Sequence, residues 1–177
     1  MPRMHLTKND IIDTALSLAD QHGYEAVTMA NIARSLTIKP PSLYNHFKNL
    51  EEIKQAMAEA AQKQLYEALK VTEQTSQPML SFAKAYVNFA SSNPGLYASS
   101  LPGGNGEYAN ALLQLVADAL QSHKLENEKM IHAIRGFRSM LHGFVDLNNH
   151  AGFKLDVDLE ASLEEVVGIF ERGLKSS

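Results

Sequence analysis

Apolar residues return every three or four positions along most of this chain, and no stretch shows the two-residue alternation of a strand, which predicts an all-α fold. Thr7-Lys8-Asn9-Asp10 reads as a capping box that opens a first helix. Ile11, Ile12, Ala15, Leu16, Leu18 and Ala19 give that helix one apolar face until Gly23 stops it. Thr28 caps a second helix of about two turns, with Met29, Ile32, Ala33 and Leu36 on its inner side. Pro40 and Pro41 are tolerated only in a first helical turn, so they mark the entry to a short third helix over 42–47. A long helix follows over 50–72, carrying Ile53, Met57, Ala60, Ala61, Leu65, Ala68 and Leu69 at helical spacing. After a polar break ending in Pro78, the stripe of Met79, Phe82, Ala83, Tyr86, Phe89 and Ala90 predicts another helix, ended by Asn93-Pro94-Gly95. A short helix over 96–100, a turn-rich and mobile loop over 101–106, and helices over 107–122, 126–148 and 159–174 complete the chain. There is no internal repeat and no low-complexity tract.

Three helices at the N-terminus, with a tight turn before the third, make a helix-turn-helix by spacing. The chain of 177 residues is long enough for such a module, expected at 1–49, plus a larger helical domain over 50–177. The net charge of −4 sets this in relief, because from Arg34 to Asn49 the charged residues are Arg34, Lys39 and Lys48, with no acid among them. In that window Lys39 can reach phosphate, Ser42 and Tyr44 offer hydroxyl donors, and helix N-termini turn amides toward phosphate oxygens. Cysteine is absent, which removes disulfides and thiolate chemistry. With no leader pattern and no apolar run near the ~20 residues of a membrane span, the expected location is the cytoplasm.

The same window carries a family resemblance. Thr28-Met29-Ala30-Asn31-Ile32-Ala33 followed by Ser42-Leu43-Tyr44-Asn45-His46-Phe47-Lys48-Asn49 resembles the signature stretch of TetR-type regulators, over roughly residues 7–58. The resemblance implies that the third helix enters the major groove of operator DNA. It implies that Lys39, Pro40, Pro41 and Ser42 approach bases or the adjacent backbone, and that Thr28, Tyr44, His46 and Lys48 position phosphates. Leu43 and Phe47 then face the core. One position departs: after Asn49 the family commonly has Lys, whereas here stands Leu50.

In the C-terminal domain Phe82, Tyr86, Phe89, Tyr97, Phe137 and Met140 offer more aromatic and soft surface than a minimal bundle needs, which suggests a largely apolar small-molecule effector. Residues 135–144 resemble a TetR subgroup named for Trp-His-Gly, with Leu141 in the place of Trp. Phe137, Leu141, Phe144, Val145, Leu163, Val166, Val167, Phe170 and Leu174 make stripes richer than one inner face requires, so they are expected at a homodimer interface. The resemblance implies a four-helix bundle built from the last two helices of each subunit. His132, His142 and His150 are read as structural histidines and not as ligands, so no metal or other cofactor is expected. Glu51-Glu52 and Glu164-Glu165 read as solvated surface and not as convergent catalytic carboxylates, so no enzymatic activity is expected. The expected function is an operator-binding regulator, a repressor released by its effector; the competing classes are a helical interaction or ligand-binding protein without specific DNA binding, and a helical-bundle enzyme.

Overall fold

The computed structural model describes residues 6–72, 75–102 and 106–175, and among these every regular element is helical. Eight α-helices run in the order α1 (Lys8–His22), α2 (Met29–Ser35), α3 (Leu50–Leu69), α4 (Pro78–Ser92), α5 (Pro94–Ser100), α6 (Glu107–Leu120), α7 (Asn127–Asn149) and α8 (Leu159–Lys175). The short third helix read from the sequence is a 3-10 helix, Pro40–Asn45, two residues earlier than expected. Both prolines take its first turn, where their missing N–H groups cost nothing. Part of the loop read at 101–106 falls at 103–105, outside the described residues.

The chain divides into two compact units, Met1–Gln64 with Asn93–Gly106, and Leu65–Ser92 with Glu107–Ser177. The first unit therefore extends beyond the 1–49 expected from the sequence: it takes in most of α3 and gains α5 from later in the chain. Ile11, Ala15, Leu16 and Ala19 of α1 pack in its core with Ile32, Leu43, Phe47, Ile53 and Met57. Its opening helix is fixed by Thr7, whose backbone N–H and hydroxyl both donate to the Asp10 carboxylate at 2.8 and 2.7 Å while its oxygen accepts the Asp10 N–H at 3.2 Å. Donation by the hydroxyl, then by the backbone, holds the Asp10 pKa below its usual value.

α5 is bound into this unit at both of its ends. At its start the Asp20 carboxylate of α1 accepts the backbone N–H of Gly95 at 3.1 Å and of Leu96 at 3.4 Å. At its end the buried Gln62 of α3 donates its amide to the carbonyls of Ser100 and Pro102, both at 3.2 Å. Between them Gly95 presses so closely on α1 that an added Cβ would lie 2.1 Å from the carbonyl carbon and oxygen of Ala19. Glycine is needed here for the approach of two backbones.

In the second unit α4 packs against α6, α7 and α8. Here the interface expectation needs correction. Phe137, Leu141, Phe144, Val145, Leu163 and Val167 are buried within the chain itself, with Phe137 and Leu141 at 0% exposure. Neighbouring helices of the same subunit already cover this part of the stripe. Val166, Phe170 and Leu174 stay half-buried, and Ile131, Leu147 and Ile169 are exposed. The Phe170 ring lies over Gly136, where a Cβ would come within 3.2 Å of it.

Candidate nucleic-acid interface

The turn that aims the 3-10 helix is built by α2's own last carbonyls. The Ile38 N–H donates to Ala33 O at 3.0 Å and the Thr37 N–H to Arg34 O at 3.1 Å, the paired bonds of a Schellman motif. Thr37 occupies its left-handed position at φ 56, where glycine is the usual choice, because that geometry crowds any Cβ. Its side chain is exposed. At the other end Asn49 accepts the Glu52 N–H at 2.9 Å, and the Glu52 carboxylate accepts the Lys48 N–H at 2.6 Å, which starts α3 immediately after the segment.

Between these two fixtures the segment is strongly sided. Leu43 is 0% and Phe47 3% exposed, so they fasten it to the core, as expected for both. Lys39, Pro40, Pro41, Tyr44, Asn45 and Lys48 face solvent, while Ser42 and His46 are half-buried. Tyr44 keeps 57% of its surface exposed. The Tyr44 ring thus stands in solvent between two buried anchors. Thr28 stands apart as the N-cap of α2, its hydroxyl oxygen accepting the Asn31 N–H at 3.1 Å. Leu50 is half-buried as the first residue of α3.

Sequence spacing missed one cation here. Lys8, from α1, holds its ammonium 5.0 Å from the centre of the Phe47 ring and so adds positive charge beside the segment. Only the packing of α1 against the third helix reveals it. Arg34, by contrast, is engaged at 3.0 Å with Asn31 Oδ1 on its own helix. Glu52, the nearest acid in sequence to Lys48 apart from Glu51, has its carboxylate occupied in the cap.

The residues expected around an effector are distributed over both units, Tyr97 in the first and the others in the second. Phe82 and Phe137 meet at 5.9 Å, Phe82 and Tyr86 at 6.1 Å, and Phe137 and Phe170 at 5.6 Å, filling the second unit's core with one another. Met140 is half-buried on α7, Phe89 is buried on α4, and Tyr97 is buried in the first unit. A cleft of about 340 Å³ lies elsewhere in the second unit, lined by Lys84, Val87, Ser91, Phe144, Asn148 and Leu163 among others. A wider opening of about 1100 Å³ sits at the start of α7, around His123 and Lys124. His132, His142 and His150 are exposed on or just after α7, and His150 stays close to its helix at 2.9 Å from Asp146 O.

Comparison with known proteins places this geometry. Residues 11–61 match the bacterial regulatory proteins of the tetR family, and residues 79–170 match the tetracyclin repressor-like C-terminal domain. The HTH-type transcriptional regulator YobS of Bacillus subtilis is 36% identical across 98% of this chain and 95% of its own. The TetR family protein ActR of Streptomyces coelicolor, solved with (S)-DNPA, shares the fold with a TM-score of 0.71 at 16% identity, over 98% of both chains. BioQ, solved with its natural double-stranded DNA operator, superimposes with a TM-score of 0.69 at 21% identity, over 98% of this chain and 100% of that one.

Proposed function

Because the chain belongs to the TetR family of DNA-binding transcriptional regulators, we propose that it acts as a homodimeric repressor, released from its operator by a small and largely apolar effector. The observation that carries the operator-facing assignment is the exposed, acid-free side of the 3-10 helix, held in place by Leu43 and Phe47. On that side Lys39 and Lys48 supply charge to phosphates, joined by the Tyr44 hydroxyl and by His46. Pro40 and Pro41 bring van der Waals surface to thymine methyls or sugar edges, with Ser42 beside them. Thr28 presents the N-terminus of α2, with its partial positive charge, to the backbone. BioQ, on the same fold, was solved with its operator DNA, which supports operator binding as the function.

Two such segments, spaced by a twofold axis, meet successive major grooves about 34 Å apart, and a single half-site holds weakly. Val166, Phe170, Leu174 and exposed Ile169 on α8 supply the apolar surface for that pairing. We assign operator reading to 1–49, supported within the first unit by α3 and α5, and effector sensing with dimerisation to the rest of the chain over 50–177. Release works through α5 and α3: an effector that shifts α5 must break its bonds to Asp20 or Gln62, and so disturb α1 and α3 beneath the reading segment. The effector can shift the equilibrium only by its preference for the DNA-free state. ActR, solved with a small molecule, is a precedent on this fold. The working place of such a repressor is the cytoplasm, where the operator is, and it acts by binding and not by catalysis. Among the described residues no helix is long and apolar enough to cross a membrane.

The test is fluorescence anisotropy on the upstream region of the protein's own gene across a salt series. Specific binding should weaken steeply as salt rises, since each neutralised phosphate releases counterions. Binding indifferent to sequence at every salt concentration would count against the reading.

A further inference from the structure

The cleft in the second unit has an organised lining. Lys84, Val87, Asn88 and Ser91 follow one another at i, i+3, i+4 and i+7, one face of α4. Phe144 and Asn148 of α7 and Leu159, Glu160 and Leu163 of α8 stand opposite. Its walls are therefore apolar, from Val87, Phe144, Leu159 and Leu163, and its ends differ in chemistry. At one end the Lys84 ammonium bridges Glu160 Oε1 at 2.7 Å and Glu164 Oε1 at 2.6 Å, one positive charge between two carboxylates. At the other end lie neutral groups, with the Asn148 amide donating to Ser91 Oγ at 3.0 Å. The volume of about 340 Å³ is at the small end of the range for organic ligands.

We propose that this cleft binds a small amphipathic organic cation: an apolar body between Val87, Phe144 and Leu163, with an ammonium head against Glu160 of the lining, in the field of the Glu164 carboxylate that shares Lys84 with it. The charge balance selects the sign. Lys84 neutralises only one of the two carboxylates, so an incoming cation completes the set, whereas an anion meets net negative charge. As the seat of the effector, the cleft rests on the repressor reading above; as a binding site for an ammonium, it does not.

The experiment is calorimetric titration of the full-length protein with three probes that share one body: octylammonium, octanol and octanoate. Octylammonium should bind at least about tenfold more tightly than octanol, and octanoate more weakly than either. Lys84→Met should tighten octylammonium several-fold and leave octanol unchanged, while Glu160→Gln with Glu164→Gln should erase the difference between the two probes. Ser91→Phe, or Asn88→Trp if the first variant melts early, should fill the cleft and abolish binding of both; each replaces an exposed side chain. Octanoate binding as well as octylammonium, charge variants that leave the ratio unchanged, or undiminished binding to both filled variants would overturn the proposal. Operator binding without any amine is measured in parallel. If it is absent while octylammonium binds as described, the repressor reading fails and the cleft stands; if it is intact while octylammonium does not bind, the cleft alone fails.

Discussion

Thr37 shows how one residue can be placed against its own preference. A β-branched side chain at φ 56 costs about 1–2 kcal/mol relative to a comfortable backbone, and an exposed threonine gains no packing in return. Thr37→Gly removes that strain but gives back about 0.5–1 kcal/mol in unfolded-chain entropy. The variant should therefore be more stable by about 0.5–1 kcal/mol, a rise of roughly 2 °C in a thermal melt. Tyr44→Phe and Lys48→Ala remove only solvent-facing groups, so each should weaken operator binding several-fold while leaving the melt within a degree or so. A large fall in melting temperature for either one would reassign it to packing. At this scale the chain was largely readable. Leu43 and Phe47 fell on the buried side of a helical period, and the caps at Thr7 and Thr28 formed as their residue types demand. Lys8 was not readable, because nothing in its local pattern says which ring from a distant part of the chain will lie beneath it.

Among the elements, helix positions followed the apolar period closely, since a three-to-four spacing has only one way to bury its stripe. The difference between a 3-10 helix and an α-helix at residues 40–45 was beyond that signal, because six residues are too few for the two periods to diverge. Two elements invite direct tests. Gly95→Ala puts a methyl carbon against the carbonyl of Ala19, so α5 must lift or α1 must bend, and a loss of about 1–3 kcal/mol should appear in denaturant unfolding. α8 is tied to α4 through Lys84, whose pKa is pushed up to about 12 by its bonds to Glu160 and then Glu164. A raised lysine contributes in full below its ordinary value of 10.5 and loses its contribution as pH climbs through the raised one. Between neutral pH and pH about 10 the difference in melting temperature between the wild type and Lys84→Met should thus be constant, and it should shrink toward pH about 12. A difference that stays unchanged up to pH about 12 would mean that the ion pair contributes nothing.

For the molecule as a whole, the sequence pattern could say that α7 and α8 carry more apolar surface than usual, but not which part of it a partner covers. That distinction requires knowing where α4 and α6 lie, and it is long-range packing that removes Phe137, Leu141 and Val145 from the candidate interface and leaves Ile169 in solvent. If α8 pairs two subunits, Ile169→Glu should shift sedimentation toward monomer and weaken operator binding by at least about tenfold, with each subunit still folded. An unchanged dimer would place the pairing surface elsewhere.

The seating of α5 on α1 also bears on how such proteins can be recombined. A reading head cut at residue 49, or even at 64, leaves behind the seven residues that close over Ala19 and Asp20. Grafted onto another sensor, it would meet a stranger's helix in a seat that admits no side chain at its centre. A functional chimaera must therefore transplant residues 93–102 together with the N-terminal segment, as two pieces of chain that count as a single heritable part.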